Sequence, residues 1–329
     1  MLRERSLVLV AGSGRSGTSL VSGILQRLGC HVPAPEVPAD DTNPRGFAES
    51  QWVVDFHSAL LKRARVQAAD ARPAAWALTA ELCLDEAVQR DLTAWLEQQF
   101  GAASSLVIKD PRLSWFLPLW RRSAESLGVA PRFLTMLRHP AAVIDSKQRW
   151  YGGWQGDVSR AAGWLNQTLF TERATRDTPR VLVRYEDLLD DWTRVIGHVG
   201  DELDLAVVRD APAASLRAVY EFVDRTLSRS RPDWGDLALP APLRELADET
   251  WELMSALADG GDDRPRLDAA RAAYVALYEQ SEAIAQSSVE AARRRAAPAV
   301  GLPAARLVPA RYRRRIPLEW RRRLVRALR

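Results

Sequence analysis

The stretch Leu7-Val-Leu-Val-Ala-Gly-Ser-Gly-Arg-Ser-Gly-Thr-Ser19 decides the fold. Leu7 to Ala11 is a continuous apolar run stopped by glycine, the pattern of a strand buried on both faces of a parallel sheet. Beyond the glycines, Leu20, Val21, Ile24, Leu25 and Leu28 recur at helical spacing, so the segment reads as strand, turn, helix. Further apolar runs at Leu106–Ile108, Arg132–Leu137 and Arg180–Arg184 are separated by helical periodicity at Asp85–Phe100, Pro140–Arg149 and Asp187–Leu203. Parallel strands require crossover connections, and the alternation therefore predicts an α/β fold, a parallel β-sheet flanked by helices. Proline clusters at Val32–Pro44 and Arg231–Pro242 mark loops or boundaries. The organisation predicted is an α/β domain over 1–241, a helical C-terminal extension over 242–297 that turns at Gly260-Gly261, and a linker with a basic tail over 298–329.

Composition bounds the rest. With 329 residues and 47% hydrophobic content, the chain can bury a large core and is not of the disordered or fibrous class. Two cysteines, Cys30 and Cys83, argue against a disulfide scaffold and a cysteine zinc site and suggest a reducing compartment. No apolar run approaches the ~20 residues of a membrane span, and Gly12 to Ser16 interrupt the opening before a signal peptide accumulates. A cytoplasmic protein is expected. The net charge of +4 is uneven, because residues 306–329 hold ten Arg and one Glu, a local +9, which leaves −5 for residues 1–305. A nucleic-acid-binding body would show cationic excess over its docking face, so no nucleic-acid partner is expected.

The loop Gly12–Ser19 joins the first strand to its helix, where backbone N–H groups and the positive helix end suit a phosphate. The bland alternative is a glycine-rich turn that merely reverses the chain. Arg15, Ser16, Thr18 and Ser19 favour the anion by adding a planar cation and hydroxyl donors to Gly14 and Gly17. The spacing of Gly12 and Gly17 matches G-x-x-x-x-G-K-[ST], but Thr18 stands where that motif has its lysine, which weakens a kinase or nucleotide triphosphatase reading.

Three more segments end at strand termini, where ligands of open α/β sheets bind. They are Lys109-Asp-Pro-Arg112, Arg138-His-Pro140 with Asp145 and Ser146 on the helix that follows, and Arg184-Tyr185-Glu186-Asp187. Two of them have a structural alternative, a strand-end ion pair for Lys109 and a helix start with acidic first-turn residues for the last. Together with the first loop they resemble the PAPS-dependent sulfotransferase family, in particular its bacterial and Golgi-type branches with arginine in the first loop. The resemblance covers about Leu7 to Trp234. It implies a P-loop-like sulfotransferase fold and PAPS as co-substrate, with adenosine 3′,5′-bisphosphate as product and no metal. Gly14–Ser19 would then hold the 5′-phosphosulfate, Arg138 and Ser146 the 3′-phosphate, and Tyr185 would line the nucleotide site. Arg225–Arg231 resembles the family's late basic loop that closes on the nucleotide, through Arg229, Ser230 or Arg231, against the alternative of a solvated loop.

The reaction implied moves a sulfuryl group in line from a phosphate oxygen to an acceptor hydroxyl, and so needs cations on the leaving oxygen and a base on the acceptor. Arg15 and Lys109 are the candidate cations. Asn43-Pro-Arg-Gly-Phe-Ala-Glu49 resembles a segment of bacterial relatives, and Glu49 is the candidate base, with His57 in reserve; the alternative for Glu49 is an acid at a helix start. Trp150, Tyr151 and Trp154 are candidates to stack on a small-molecule, glycan or glycolipid acceptor, or else they fill the core. In the tail, Ile316, Trp320, Leu324 and Leu328 fall on one helical stripe among arginines, which predicts peripheral contact with an anionic inner membrane surface; the alternative is a solubilising basic end.

Overall fold

The computed structural model describes residues 5–152, 155–227 and 233–296. Its elements are β1 (Ser6–Ala11), α1 (Thr18–Leu28), α2 (Gln51–Ala64), α3 (Ala75–Leu84), α4 (Glu86–Ala102), β2 (Ser105–Lys109), α5 (Leu117–Ser126), β3 (Arg132–Leu137), α6 (Pro140–Tyr151), α7 (Asp157–Ala174), β4 (Arg180–Arg184), α8 (Tyr185–Asp190), α9 (Trp192–Glu202), α10 (Ala206–Arg209), α11 (Ala213–Phe222), α12 (Ala241–Ala258) and α13 (Arg264–Ala296). The strands form one parallel sheet in the order β2-β1-β3-β4. This is the mixed α/β architecture expected, with the glycine-rich loop at the end of the central strand β1.

The unbroken apolar run of β1 has a simple cause. Side chains alternate across a strand, and here both faces are covered. Leu7, Leu9 and Ala11 enter one core with Leu106, Ile108 and Phe133 beneath α2, α4 and α5. Val8 and Val10 enter another with Val107, Leu134 and Met136 beneath α1, α9 and α11. A third core joins α6 and α7 to α12 and the start of α13 through Ile144, Trp164, Leu246, Met254 and Tyr274. Burial of each such side chain contributes about 1.5–3 kcal/mol, so the sheet is fixed from both sides and its carboxyl edge is held rigidly.

Helix starts follow local chemistry. Asp85 caps α4 by accepting from the N–H groups of Ala87 and Val88 at 2.9 and 3.3 Å. Pro140 opens α6 in the first turn, where its missing N–H costs nothing. The single helix expected over Asp187–Leu203 is two, because Asp191 leaves helical geometry and caps α9, accepting from Arg194 N at 3.1 Å. Among the described residues, one compact unit ends at Tyr278 and a second begins at Glu279. In the described part of that second unit α13 continues, with Ile284 and Val289 exposed. No helix of the described residues is long and apolar enough to cross a membrane.

Candidate active site

The carboxyl ends of β1, β2 and β3 border a cavity of about 510 Å³. Its floor is the loop between β1 and α1. Gly12 and Gly17 have φ of 135° and 87°, and a Cβ at Gly12 would sit 2.6 Å from the Met136 carbonyl oxygen, while one at Gly17 would collide with the Tyr185 ring. Arg15 also takes a left-handed φ of 76°, and Arg138 NH1 donates to its carbonyl oxygen at 2.9 Å, so the β3 end holds the strained residue in place. One N–H of the turn is spent internally, Ser16 N to Ser13 O at 3.1 Å. The N–H groups of Gly14, Arg15 and Gly17 make no hydrogen bond among the described residues, Ser16 Oγ is buried without a partner, and no side chain caps α1. Orphaned donors at a helix N-terminus suit an oxyanion.

Two arginines reach the same place. Arg15 Nε donates to Ser146 Oγ at 3.0 Å and its NH1 to Thr42 O at 3.3 Å. Arg138 is buried against the Tyr185 ring at 4.4 Å, and its Nε has no hydrogen-bond partner, with Glu186 Oε1 only at 4.0 Å. Burial draws the Arg138 pKa down, against the opposing pull of Tyr185 and Glu186. Each of these groups would gain from an anion. The loop and the Arg138–Ser146 pair, expected at separate ends of a ligand, touch directly through Arg15.

On the β2 side, Lys109 forms a short buried ion pair with Glu49, donates to Ser19 Oγ at 2.9 Å, and lies 5.9 Å from the Phe47 ring. Burial pushes the Glu49 carboxyl above the ordinary glutamate range, outweighing the Lys109 ammonium that pulls it down. The loop that delivers Glu49 is turned by Asp40, which accepts from Thr42 N and Asn43 N at 2.8 and 3.0 Å. It is strapped to the end of α11 by Arg45, whose NH1 donates to Phe222 O at 2.7 Å and whose NH2 meets Asp224 at 3.1 Å.

Of the residues singled out from sequence, Gly14, Arg15, Gly17, Thr18, Ser19, Glu49, Lys109, Arg138, Ser146 and Tyr185 line this cavity, as do Trp150 and Tyr151. Ser16 is buried beneath the loop. Trp154, Arg229 and Arg231 lie outside the described residues, as does the basic tail. His57 does not face the cavity. It is fully buried, with Nδ1 2.8 Å from Asp110 Oδ2 and Nε2 2.8 Å from Trp120 Nε1. Because the indole can only donate, Nε2 must accept and Nδ1 carry the proton, which leaves no nitrogen for an acceptor hydroxyl. The reserve base is thus a packing residue.

Sequence reading passed over Arg45 and Lys147. Arg45 has no local signal, since its partners are 176 to 179 positions away. Lys147 follows Ser146 but points beneath the loop, where its Nζ lies 3.2 Å from Ser13 Oγ. Burial, with Arg160 nearby, pulls its pKa down to about 8.

Neither a protein-family model nor a curated protein matches the chain. Among solved structures it is similar to the sulfotransferase domain of the olefin synthase of Synechococcus PCC 7002, at 20% identity and a TM-score of 0.46, over 77% of this chain and 96% of that one. It is also similar to the sulfotransferase domain of the curacin biosynthetic pathway, at 18% identity and a TM-score of 0.42, over 77% of this chain and 98% of that one. At that level of identity and superposition, the functional reading has to come from the cavity's own residues.

Proposed function

We propose that the chain is a sulfotransferase that moves the sulfuryl group of PAPS to a hydroxyl of a small-molecule, glycan or glycolipid acceptor. The observation that carries this reading is the meeting, in one cavity, of unsatisfied anion donors on β1 and β3 with a buried carboxylate–ammonium pair beside β2. Gly14, Arg15, Gly17 and Ser16 form a cradle for the 5′-phosphate, and Arg138 with Ser146 supplies donors for a second phosphate. Bound there, PAPS supplies an activated sulfur–oxygen bond.

The chain's own residues then have distinct tasks. Glu49 accepts the acceptor's hydroxyl proton as the new S–O bond forms and the bond to the phosphate oxygen breaks. Lys109, between Glu49 and Ser19, offers positive charge to the transferring group and the leaving oxygen. Preorganised donors of this kind are worth on the order of 10²–10³ in rate each, and a positioned base 10²–10⁴. Ion pairing with Lys109 keeps Glu49 oriented, and the burial that raises its pKa strengthens it as a base. For the basic tail the reading adds contact with an anionic membrane surface, which would bring the enzyme to lipid-linked acceptors.

The second reading, a P-loop kinase or nucleotide triphosphatase, is favoured by the spacing of Gly12 and Gly17 alone. Thermal-shift titration separates the two. Adenosine 3′,5′-bisphosphate is expected to raise the melting temperature more than ATP with magnesium does; preferential stabilisation by ATP would overturn the sulfotransferase reading.

A further inference from the structure

The sheet order divides the cavity. The donors that suit two phosphates lie on β1 and β3, whereas Lys109 and Glu49 stand on the opposite, β2 side. Arg112 lines the cavity on that same side, three residues beyond Lys109 on the turn that leaves β2. Its anchoring is elaborate for a surface arginine. NH1 donates to Asp110 Oδ1 at 2.8 Å, and the Arg112 backbone N–H donates to the same oxygen at 3.0 Å. The other oxygen of Asp110 takes the Nδ1 proton of His57, whose Nε2 is in turn fixed by the Trp120 indole. Burial alone would raise the Asp110 carboxyl, but the hydrogen bond from His57, with the Arg112 guanidinium and backbone N–H, holds it below the ordinary range, so the anchor is a carboxylate.

This anchor uses one terminal nitrogen of the guanidinium. Nε and NH2, the edge that grips a carboxylate with two parallel N–H···O bonds, have no hydrogen-bond partner among the described residues, and the side chain is 28% exposed. Lys109 and Arg45 are ion-paired, with Glu49 and Asp224, and Arg112 is ion-paired with Asp110, but through NH1 alone. What Arg112 offers the cavity is a pair of parallel N–H donors rather than an unpaired charge, a fork that matches the two oxygens of one carboxylate.

We infer that Arg112 is the acceptor-recognition residue and that the acceptor carries a carboxylate, bound by the Nε–NH2 edge while its hydroxyl lies against Glu49. His57 and Asp110 are positioning residues for that guanidinium. The inference rests on the sulfuryl-transfer reading. It assigns the β2 side of the cavity a substrate chemistry of its own.

The test uses full-length protein saturated with adenosine 3′,5′-bisphosphate, so that the phosphate sites are filled, and calorimetric titration with 4-hydroxybenzoate and its methyl ester. The acid is expected to bind at least about tenfold more tightly than the ester, the effect of a charge-assisted pair. Arg112→Gln should abolish that preference with bisphosphate affinity unchanged, and Arg112→Lys, which keeps the charge but not the fork, should retain only part of it. Equal binding of acid and ester, binding of neither, or a preference that survives in Arg112→Gln would each overturn the assignment. Failure of the bisphosphate itself to bind the wild-type protein would instead strike the sulfuryl-transfer reading, and the assignment would fall with it. If Arg112→Gln does not fold, Arg112→Lys carries the test alone, and an undiminished preference in that variant would refute the bidentate grip.

Discussion

Two buried charged side chains, Glu49 in the cavity and Lys147 beneath its loop, both favour higher pH, one through activity and the other through stability. Glu49 must be ionised to accept a proton, and burial has raised its pKa above the ordinary glutamate range. The acid limb of kcat/KM is therefore expected to lie above that range and to rise with pH, since activity follows the deprotonated fraction. Glu49→Gln should cut turnover by about 10²-fold or more, remove the limb, and leave bisphosphate affinity within roughly twofold of wild type. Steady-state assays over pH, paired with calorimetry, check this, and full turnover in the variant would remove Glu49 as base. Lys147 acts on stability instead. Its folded pKa of about 8 lies below the 10.5 of a free lysine, so the native state releases its proton first and the unfolded state binds more protons between those values. Stability gains a rising contribution from pH 8 to 10.5 and none below, where burying the ammonium costs on the order of 3 kcal/mol. Lys147→Met should be more stable than wild type at pH 7, with the two denaturation curves converging as pH approaches 10.5.

Among the elements, the β1–α1 turn sets the tightest steric condition. Gly17 is excluded from having a side chain twice over, by its φ of 87° and by the Tyr185 ring from the start of α8. Gly17→Ala is expected to cost at least roughly 1–2 kcal/mol from the backbone alone, lower the melting temperature, and weaken bisphosphate binding. Adding Tyr185→Ala should return part of the stability, because it relieves the clash and leaves the dihedral strain; no recovery would show that the ring is not the obstacle. How much of this was legible in sequence depended on distance along the chain. The strand, the loop and the helix start of Leu7–Leu28 are local, and their apolar run, glycines and 3.6-residue period were readable directly. The break at Asp191 was missed because the apolar period continues across it, whereas the capping carboxylate that makes the break is a single side chain. Arg45 and the His57–Asp110 link were unreadable for a different reason, since their partners are brought together only by packing α2 and α11 against the sheet.

For the whole molecule the deciding quantity is the separation of charge. Residues 1–305 carry a net −5 and the remaining 24 or so carry +9, so an anionic surface repels the first part and attracts the second. Each Lys or Arg near such a surface contributes about 1 kcal/mol, fading within a Debye length of about 8 Å at physiological salt. If the arginines were simply solubilising, removing them would change no partition; if the stripe Ile316, Trp320, Leu324 and Leu328 enters the interface, binding should need both anionic lipid and the tail. Co-sedimentation with vesicles of phosphatidylcholine, with and without phosphatidylserine, compares the full chain with a chain ended at Ala305. The full chain is expected to pellet with the anionic vesicles only, to dissociate in part at 1 M salt, where the Debye length is about 3 Å, and to retain the fraction held by Trp320 and the leucines. Equal sedimentation of the two chains would assign the membrane no role, and complete release by salt would reduce the tail to an electrostatic tether without insertion.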